Sequence, residues 1–219
     1  MNRRAFLGAG VASLSMLGLC LAARGNLHAA ATPSRQAPTQ GTGTAKALPP
    51  ADFGPMTLMD CCKARHSDHT LPRGELDRQT IANLCWAAWG VNRADGRRVV
   101  PTAMNRQEVA LFVALEDGVW QYDGRAHSLS RVLTGDQRPR FDGAACVLLY
   151  AGPDRAKMPE MRGDFAAFHI GSMYQNVGLY CGAAGLHNCV KWQKHDALDG
   201  ELPLPRGWSV LMTQSVGKP

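Results

Sequence analysis

The sequence lacks the short motifs that identify the commonest hydrolases, phosphate-binding proteins and metal-dependent enzymes. It contains no G-x-S-x-G, no H-E-x-x-H, no Walker loop and no G-x-G-x-x-G between a strand and a helix. It also contains no C-x-x-C pair and no Cys/His set with zinc-finger spacing. We therefore expect no serine-hydrolase, P-loop or zinc chemistry, and no metal site.

A concentrated basic surface is missing as well. Lysine and arginine number 24 against 18 acidic residues, which gives a net charge of +6. Arg3, Arg4 and Arg24 lie in the first 31 residues, and without that segment the net charge falls to +3. Surfaces that bind nucleic acid usually combine clustered Lys and Arg with aromatic residues, whereas the basic residues here are scattered. We therefore expect no nucleic-acid partner.

The first 31 residues have the features of an export signal. Arg3 and Arg4 precede an uncharged stretch over residues 5–23, and the run Ala29–Ala31 offers a cleavage site of small residues. The start, Asn2–Leu7, resembles the twin-arginine signal, whose pathway exports folded proteins. We expect export to the periplasm, and an uncleaved membrane anchor is the alternative.

The rest of the chain divides into a linker and one domain. Residues 32–52 are dominated by Thr, Pro, Gln, Gly and Ala, a composition that buries too little apolar surface to offset the entropy of ordering. We expect a flexible linker there. Residues 53–219 have room for one domain with one core.

Apolar periodicity in this domain predicts an α+β fold with a mixed sheet. Helical spacing occurs at about 56–65, 75–89 and 160–184, and strand-like runs occur at 109–116, 119–122, 144–150, 186–192 and 208–214. Asp117-Gly118 predicts a hairpin turn. Residues 144–150 are almost continuously apolar, which is typical of a strand covered on both faces. The longest helix is expected at the centre.

Six cysteines follow the signal segment: Cys61, Cys62, Cys85, Cys146, Cys181 and Cys189. An even number permits disulfides in an exported protein, but most lie in apolar periodic segments, where free cysteine acts as a small hydrophobe. The vicinal pair Cys61-Cys62 could be a redox device, although adjacent side chains on a helix diverge by about 100 degrees. A thiol-redox protein is therefore one alternative function.

Three polar segments stand out against this framework. The first, Arg65-His66-Ser67-Asp68-His69, follows the first predicted helix, where basic residues are common in any case. The second, from Pro101 to Gln107, lies in a turn-rich stretch where Asn105 could simply cap a turn. The third comprises Gln175-Asn176 in the long helix and the segment from Gly185 to Asn188, where Gly185 could simply end the helix.

In combination, these segments resemble the FMN-dependent nitroreductase family, and the stretch Leu84–Arg93 resembles its short bacterial branch. The first segment resembles the family pattern R-[RH]-S-x-[RK]. The second resembles P-S-x-x-N-x-Q with Thr102 in place of Ser, and the third resembles Q-N-x-x-L followed by a Gly-Leu-Gly turn. The resemblance covers residues 56–218.

The resemblance implies a homodimer with FMN bound in grooves between the subunits. The residues implied to hold the cofactor are Arg65, His66, Ser67 and His69, then Pro101, Thr102, Ala103, Asn105 and Gln107, and finally Gly185, Leu186 and Lys218. Asn105 and Gln107 would come from the facing subunit, and Gly185 and Leu186 would contribute backbone donors. Arg206 is a weaker candidate than Lys218 for the phosphate. His69 stands where the family has Arg or Lys, so its positive charge depends on protonation.

The resemblance also implies a reaction. A reductant such as NAD(P)H would pass hydride through flavin N5 to a nitroaromatic, quinone or similar acceptor, and no side chain is expected to act as acid or base. A protein that loads a cytoplasmic cofactor also has a reason to cross the membrane folded. The alternative is an exported flavin-binding or small-ligand-binding protein without turnover, because nicotinamide cofactors are scarce outside the cytoplasm.

Overall fold

An antiparallel sheet forms the middle layer of the fold. The structure, a computed structural model, describes residues 43, 45–141, 143–159, 165–192 and 195–219. Over these residues the strands are β1 (Ala45–Ala47), β2 (Ala110–Leu115), β3 (Gly118–Asp123), β4 (Ser128–Thr134), β5 (Cys146–Pro153), β6 (His187–Lys191) and β7 (Trp208–Gly217). Their order across the sheet is β1-β4-β3-β2-β5-β7-β6.

The described helices are α1 (Leu58–Ala64), α2 (Arg78–Trp89), α3 (Phe165–Ala183) and the short α4 (Asp196–Asp199). Side-chain caps set the start of the first two helices. The Thr57 hydroxyl accepts a hydrogen bond from the Asp60 N–H at 3.2 Å, and the Asp77 carboxylate accepts one from the Thr80 N–H at 2.7 Å. These caps satisfy backbone donors that a helix leaves unpaired at its N-terminus.

β5 is buried along its whole length because both faces of the sheet are covered. Leu148 and Tyr150 point into the apolar cluster that α2 and α3 share. Leu149 points to the opposite face, into a second cluster that includes Leu198 of α4 and Trp208. β5 is the centre of the core because its side chains fill both clusters. Full burial of an apolar side chain of this size contributes about 1.5 to 3 kcal/mol to stability.

The α+β class predicted from the sequence is confirmed, and every predicted helix and strand has a counterpart. The expectation of a mixed sheet is wrong, since all neighbouring strands are antiparallel. The crossover through α3 does make β5 and β6 point the same way, but β7 lies between them and is antiparallel to both. The predicted turn at Asp117-Gly118 is also displaced by one residue, because Gly118 already pairs with Leu115.

The predicted linker differs from the structure at its C-terminal end. Residues 45–47 form an edge strand that pairs with β4, an element absent from the sequence prediction. Further along, the Asp52 N–H donates to Asn83 Oδ1 at 2.9 Å, and Asn83 Nδ2 donates to Asp52 O at 2.6 Å. Leu48 and Phe53 pack against the core. Residues 45–52 therefore belong to the domain.

The export signal predicted for residues 1–31 lies outside the described residues. In the part of the chain that is described, no helix is both long and apolar enough to cross a bilayer. The six cysteines of that part are free thiols. Cys85, Cys146, Cys181 and Cys189 are buried, as expected for small hydrophobic side chains.

The close packing of α1 on α3 at Gly182 generates a stability prediction. A Cβ at Gly182 would lie 2.7 Å from Ala64 O and 2.8 Å from Arg65 N. Gly182→Ala should force these helices apart and lower the free energy of unfolding by about 1 to 3 kcal/mol, measured by urea denaturation. Gly171→Ala, in the same helix, is the control, because its Cβ would meet nothing closer than 3.9 Å. Equal stability of the two variants would contradict this packing argument.

Candidate active site

Arg65 ends α1 and begins the first polar segment. The Arg65 N–H donates to Cys61 O at 3.0 Å, which closes the last turn of the helix. The stem of the Arg65 side chain lies against Gly178 of α3, with Cγ 3.7 Å from the position of a Cβ there. Arg65, His66, Ser67 and His69 are all exposed. The segment therefore leaves the helix with its polar groups available to a ligand.

Asp68, the less exposed member of the segment, attaches it to β6. The Asp68 N–H donates to Asn188 O at 2.8 Å, and the Asn188 N–H donates to Asp68 Oδ2 at 3.1 Å. Asn188 Nδ2 also donates to His66 O at 3.3 Å. This pairing extends the strand edge into the first segment and fixes its path.

The Asn188 side chain is itself held by a buried network that crosses three strands. Gln214 Nε2 on β7 donates to Asn188 Oδ1 at 2.9 Å, and the Tyr150 hydroxyl on β5 donates to Gln214 Oε1 at 2.6 Å. Tyr150 and Gln214 are fully buried, and burial raises the pKa of Tyr150 well above its usual value. The phenol therefore stays protonated and can act as the donor at the end of the network.

The Asp68 carboxylate also faces two imidazoles. His66 Nε2 lies 3.0 Å and His187 Nδ1 lies 4.0 Å from Asp68 Oδ1. His187 Nδ1 is also 2.8 Å from Thr70 O. These contacts hold the Asp68 carboxylate in one orientation beside the first segment.

An open cavity lies between the first segment and β6. Its lining residues are Asp68, His69, Leu71, Cys189 and Lys191, and its volume is about 240 Å³. Ligand sites commonly measure roughly 300 to 1,000 Å³. The cavity of one chain is thus smaller than a complete site for a dinucleotide-sized or flavin-sized molecule. The imidazole and ammonium groups that line it suit an electron-rich ligand.

The second segment contains a strained turn next to α3. Residues Ala103–Asn105 form a 3₁₀ turn, and the Ala103 N–H donates to Nε2 of the buried His169 at 2.7 Å. Met104, Asn105 and Gln107 have φ angles of 51°, 52° and 49°. Non-glycine residues in this region cost about 1 to 3 kcal/mol each and cluster at functional sites. The turn exposes Met104 and Asn105.

Gln107 does not share this exposure. It is only 4% exposed, and Gln107 Nε2 donates to Asn105 Oδ1 at 3.0 Å and to Gly96 O at 3.1 Å. The residue predicted to contact a cofactor therefore supports Asn105 from beneath. Of the neighbouring predicted residues, Pro101 is exposed and Thr102 is half-buried, and the Thr102 carbonyl closes the turn by accepting from the Asn105 N–H at 3.1 Å.

The third segment is structural within this chain. The Leu186 N–H donates to Cys181 O at 2.8 Å, and the Gly185 N–H to Gly182 O at 3.4 Å. Gly185 has a φ of 67°, the left-handed conformation that ends many helices. Within this chain these two N–H groups close α3, and their contact with a cofactor stays a prediction. Asn176 Nδ2 likewise donates to Ala87 O of α2 at 3.2 Å.

The two candidate phosphate-binding cations lie at opposite ends of β7. Lys218 is exposed and follows Gly217, which pairs with His187 beside the first segment. Arg206 precedes Trp208, which pairs with Pro153. A ten-residue strand spans roughly 30 Å, so the structure favours Lys218 over Arg206.

The first and second segments do not meet within one chain. The second contacts α3 at His169, whereas Arg65 contacts it at Gly178 and Gly182. At about 1.5 Å per residue, these contacts lie roughly 13 to 20 Å apart along the helix. Within one chain the two segments therefore contact well-separated parts of α3.

Comparison with known proteins assigns the family. Residues 62–218 match the model of the Nitroreductase family. The chain belongs to the nitroreductase family. No curated protein is similar enough in sequence to match it.

Solved structures share this nitroreductase fold. A Ralstonia eutropha protein assigned as a nitroreductase is 29% identical with a TM-score of 0.71, and the match covers 83% of this chain and 92% of that one. An Anabaena variabilis protein so assigned is 18% identical with a TM-score of 0.61, covering 74% and 38%. The NADPH:FMN oxidoreductase of Vibrio harveyi, complexed with NAD⁺, is 14% identical with a TM-score of 0.51, covering 74% and 68%. At these identities the last two show the fold alone.

Family membership supports a flavin-dependent oxidoreductase, and the geometry of the vicinal thiols does not favour thiol-redox chemistry. Cys61 and Cys62 are free thiols that share α1, where a helical backbone directs adjacent side chains apart. Among the described residues, no group of three or more His, Cys, Asp or Glu side chains is arranged to hold a metal ion.

Several residues that shape the candidate site were not identified from the sequence. His169, Tyr150 and Gln214 carry hydrogen bonds that position the two segments. Gln214 did offer a signal, because it is a large polar residue within an otherwise apolar strand pattern. Its partner 64 residues away could be found only from the fold.

His169 generates a pH prediction. Burial, assisted by Arg106, lowers the pKa of His169 below its usual value, so its neutral form holds the turn. Because the unfolded chain binds this proton more readily, the stabilisation is present above about pH 6.5 and is lost as pH falls toward the folded pKa. Wild type should lose up to about 1.4 kcal/mol per pH unit in that window relative to His169→Gln.

The measurement is urea denaturation between pH 5 and 8. The glutamine carboxamide can accept the Ala103 hydrogen bond without titrating, which makes it the matched control. Parallel pH profiles for the two proteins would show that His169 is not neutral and buried in this role.

Proposed function

We propose that this chain is an exported FMN-dependent oxidoreductase of the nitroreductase type. It would accept hydride from NAD(P)H or another reductant and deliver it to a nitroaromatic, quinone or similar small molecule. Flavin, when bound, supplies the hydride chemistry through its N5 atom. The observation that carries the proposal is the exposed Arg65–His69 segment, which the Asn188–Gln214–Tyr150 network holds beside an open cavity.

The residues present fit the parts of FMN. The Arg65 guanidinium suits a phosphate dianion, since it can donate two parallel hydrogen bonds, and Lys218 at the adjacent end of β7 adds a second cation. His69 and Lys191 line the cavity, where positive groups would favour the electron-rich edge of a reduced flavin ring. Ser67 offers a hydroxyl on the same exposed segment. His66 contacts both Asp68 and the carbonyl group of Ala64 at the end of α1, and it would help to orient the segment.

A homodimer would complete this site. The cavity of one chain is about 240 Å³, and the strained turn with Asn105 contacts α3 roughly 13 to 20 Å from the contacts of Arg65. Large apolar side chains are exposed on α1, on the strained turn and on α3: Leu58 (73%), Met59 (62%), Met104 (72%) and Phe168 (69%). Such exposure is typical of an interaction surface. We propose that a second copy covers this face and brings its Pro101–Asn105 turn to the cavity.

Export is the remaining part of the proposal, and the segment 1–31 supports it through its paired arginines and apolar stretch. Folded export would allow FMN to be acquired in the cytoplasm. Cell fractionation of wild type against a variant with Arg3 and Arg4 replaced by lysine tests the location, and a wild-type protein retained in the cytoplasm would contradict export.

Flavin binding is the first test of function. The purified protein should be yellow with the absorption bands of oxidised FMN, and Arg65→Ala should weaken FMN binding by roughly ten- to one-hundred-fold, the scale of a charge-assisted hydrogen bond. Arg206→Ala is the matched control, because it removes the same charge at the far end of β7. Fluorescence titration of apoprotein with FMN measures both.

The outcomes separate the alternatives. A colourless protein that does not bind micromolar FMN would overturn the proposal. A yellow protein whose flavin is not bleached anaerobically by NADH, NADPH or other reductants would be a flavin-binding protein without turnover. Bleaching followed by reoxidation with a nitroaromatic or quinone supports the oxidoreductase.

A further inference from the structure

Arg98 is a buried cation for which the site described so far offers no role. It is 7% exposed, and in the described part of the chain no carboxylate lies within ion-pair distance of it. Arg98 Nη1 donates to Trp89 O at 2.8 Å, and the guanidinium lies over the Trp89 ring at 4.7 Å. Burial lowers its pKa to about 10, so it remains charged at neutral pH. Asp123 stabilises the charge from a distance, and hydrogen-bond acceptors have to offset the rest of the cost of burying it.

Arg98 begins a chain of hydrogen bonds that ends at the exposed turn. Arg98 Nε donates to Gln107 Oε1 at 3.0 Å, and Gln107 Nε2 donates to Asn105 Oδ1 at 3.0 Å. Gly96 O accepts a second hydrogen bond from Gln107 Nε2 at 3.1 Å. Every atom of the Gln107 carboxamide is therefore engaged beneath the turn.

The direction of this relay is set by Arg98. A guanidinium can only donate, so the Gln107 oxygen must face Arg98 and its NH₂ group must face Asn105. The Asn105 oxygen then accepts, which leaves the Asn105 NH₂ group as the end that faces away from the relay. An outward NH₂ group recognises an acceptor such as a carbonyl oxygen.

We propose that Arg98 is a positioning residue that acts through Gln107 to present the Asn105 NH₂ group to a carbonyl oxygen of the flavin ring. The inference rests on the proposed function. It also accounts for the left-handed φ angles of Met104, Asn105 and Gln107, because strained backbone persists only where surrounding contacts over-determine it. The relay constrains the turn from beneath, and His169 constrains it from the side.

Gly124 supplies an independent means of disturbing the relay. A Cβ at Gly124 would overlap Arg98 Nη1 and lie 2.5 Å from Trp89 O. Gly124→Ala should therefore displace the guanidinium without changing any polar group of the relay. Gly200→Ala is its matched control, because a Cβ at Gly200 would meet nothing closer than 3.8 Å.

The test is a double-mutant cycle measured by FMN titration of apoprotein. Asn105→Ala and Arg98→Lys should each weaken FMN binding by roughly ten-fold, because each removes the benefit of one hydrogen bond. Lysine keeps the buried charge but cannot donate to Gln107 and Trp89 with the geometry of a guanidinium. In the Asn105→Ala background, Arg98→Lys should have no further effect, and Gly124→Ala should behave in the same way.

A second readout needs no cofactor. Arg106 follows the turn and is exposed, so Arg98→Lys and Gly124→Ala should speed trypsin cleavage after Arg106 several-fold in apoprotein. Gly200→Ala should leave the cleavage rate unchanged. Cleavage at other sites reports any general loss of structure in a variant. A faster rate after Arg106 than at those sites therefore shows that the relay holds the turn, even if the variant is less stable.

Either measurement can overturn the proposal. If Arg98→Lys and Gly124→Ala weaken FMN equally with and without Asn105, Arg98 acts through general stability and not through the carboxamide. If the wild type binds FMN and all relay variants match it, the relay has no role in binding. If the wild type does not bind FMN, the proposed function is refuted, and the flavin-facing role of Asn105 with it. If Arg98→Lys and Gly124→Ala leave the cleavage rate after Arg106 unchanged, the relay itself is refuted.

Discussion

The reciprocal hydrogen bonds between Asp68 and Asn188 join the end of α1 to the edge strand β6, and the candidate site depends on that junction. Without it, the exposed Arg65–His69 segment would be a loop with many conformations, and ordering it on binding would cost about 1 to 2 kcal/mol per residue. Asn188 can serve this role because Gln214 and Tyr150 orient its side chain from inside the core. The core of the sheet thus preorganises a polar surface at its edge.

A protein that only binds and orients its cofactor needs few catalytic side chains, which explains why the sequence lacks catalytic motifs. In a flavin-dependent oxidoreductase the protein binds and orients a cofactor whose ring carries out the hydride transfer. The buried polar residues of this chain fit that division of roles, because His169, Gln107 and Gln214 hold backbone and amide groups in position. Conformational strain is concentrated in the Met104–Gln107 turn, where a rigid donor is most useful.

Local patterns predicted most of the helices and strands but not β1, β4 or the short α4, and long-range contacts decided how the strands are arranged. The β2–β3 hairpin, the buried strand β5 and α3 follow from apolar periodicity and turn residues. The insertion of β7 between β5 and β6 made the sheet antiparallel, and nothing local encodes that placement. β1 lies in a Thr- and Pro-rich stretch whose composition suggested a linker, yet pairing with β4 orders it. The family resemblance singled out Gln107 and Gly185 as cofactor contacts, whereas burial and helix capping give them supporting roles within the chain.

In the proposed dimer, each flavin site combines the first segment of one subunit with the turn of the other. The most direct measurement is FMN titration of a tagged mixed dimer that carries Arg65→Ala in one subunit and Asn105→Ala in the other. If the segments come from different subunits, one site loses both residues and the other is intact, so half of the sites should bind FMN with wild-type affinity. If both segments of a site come from one chain, every site carries one substitution, and no wild-type affinity should be found.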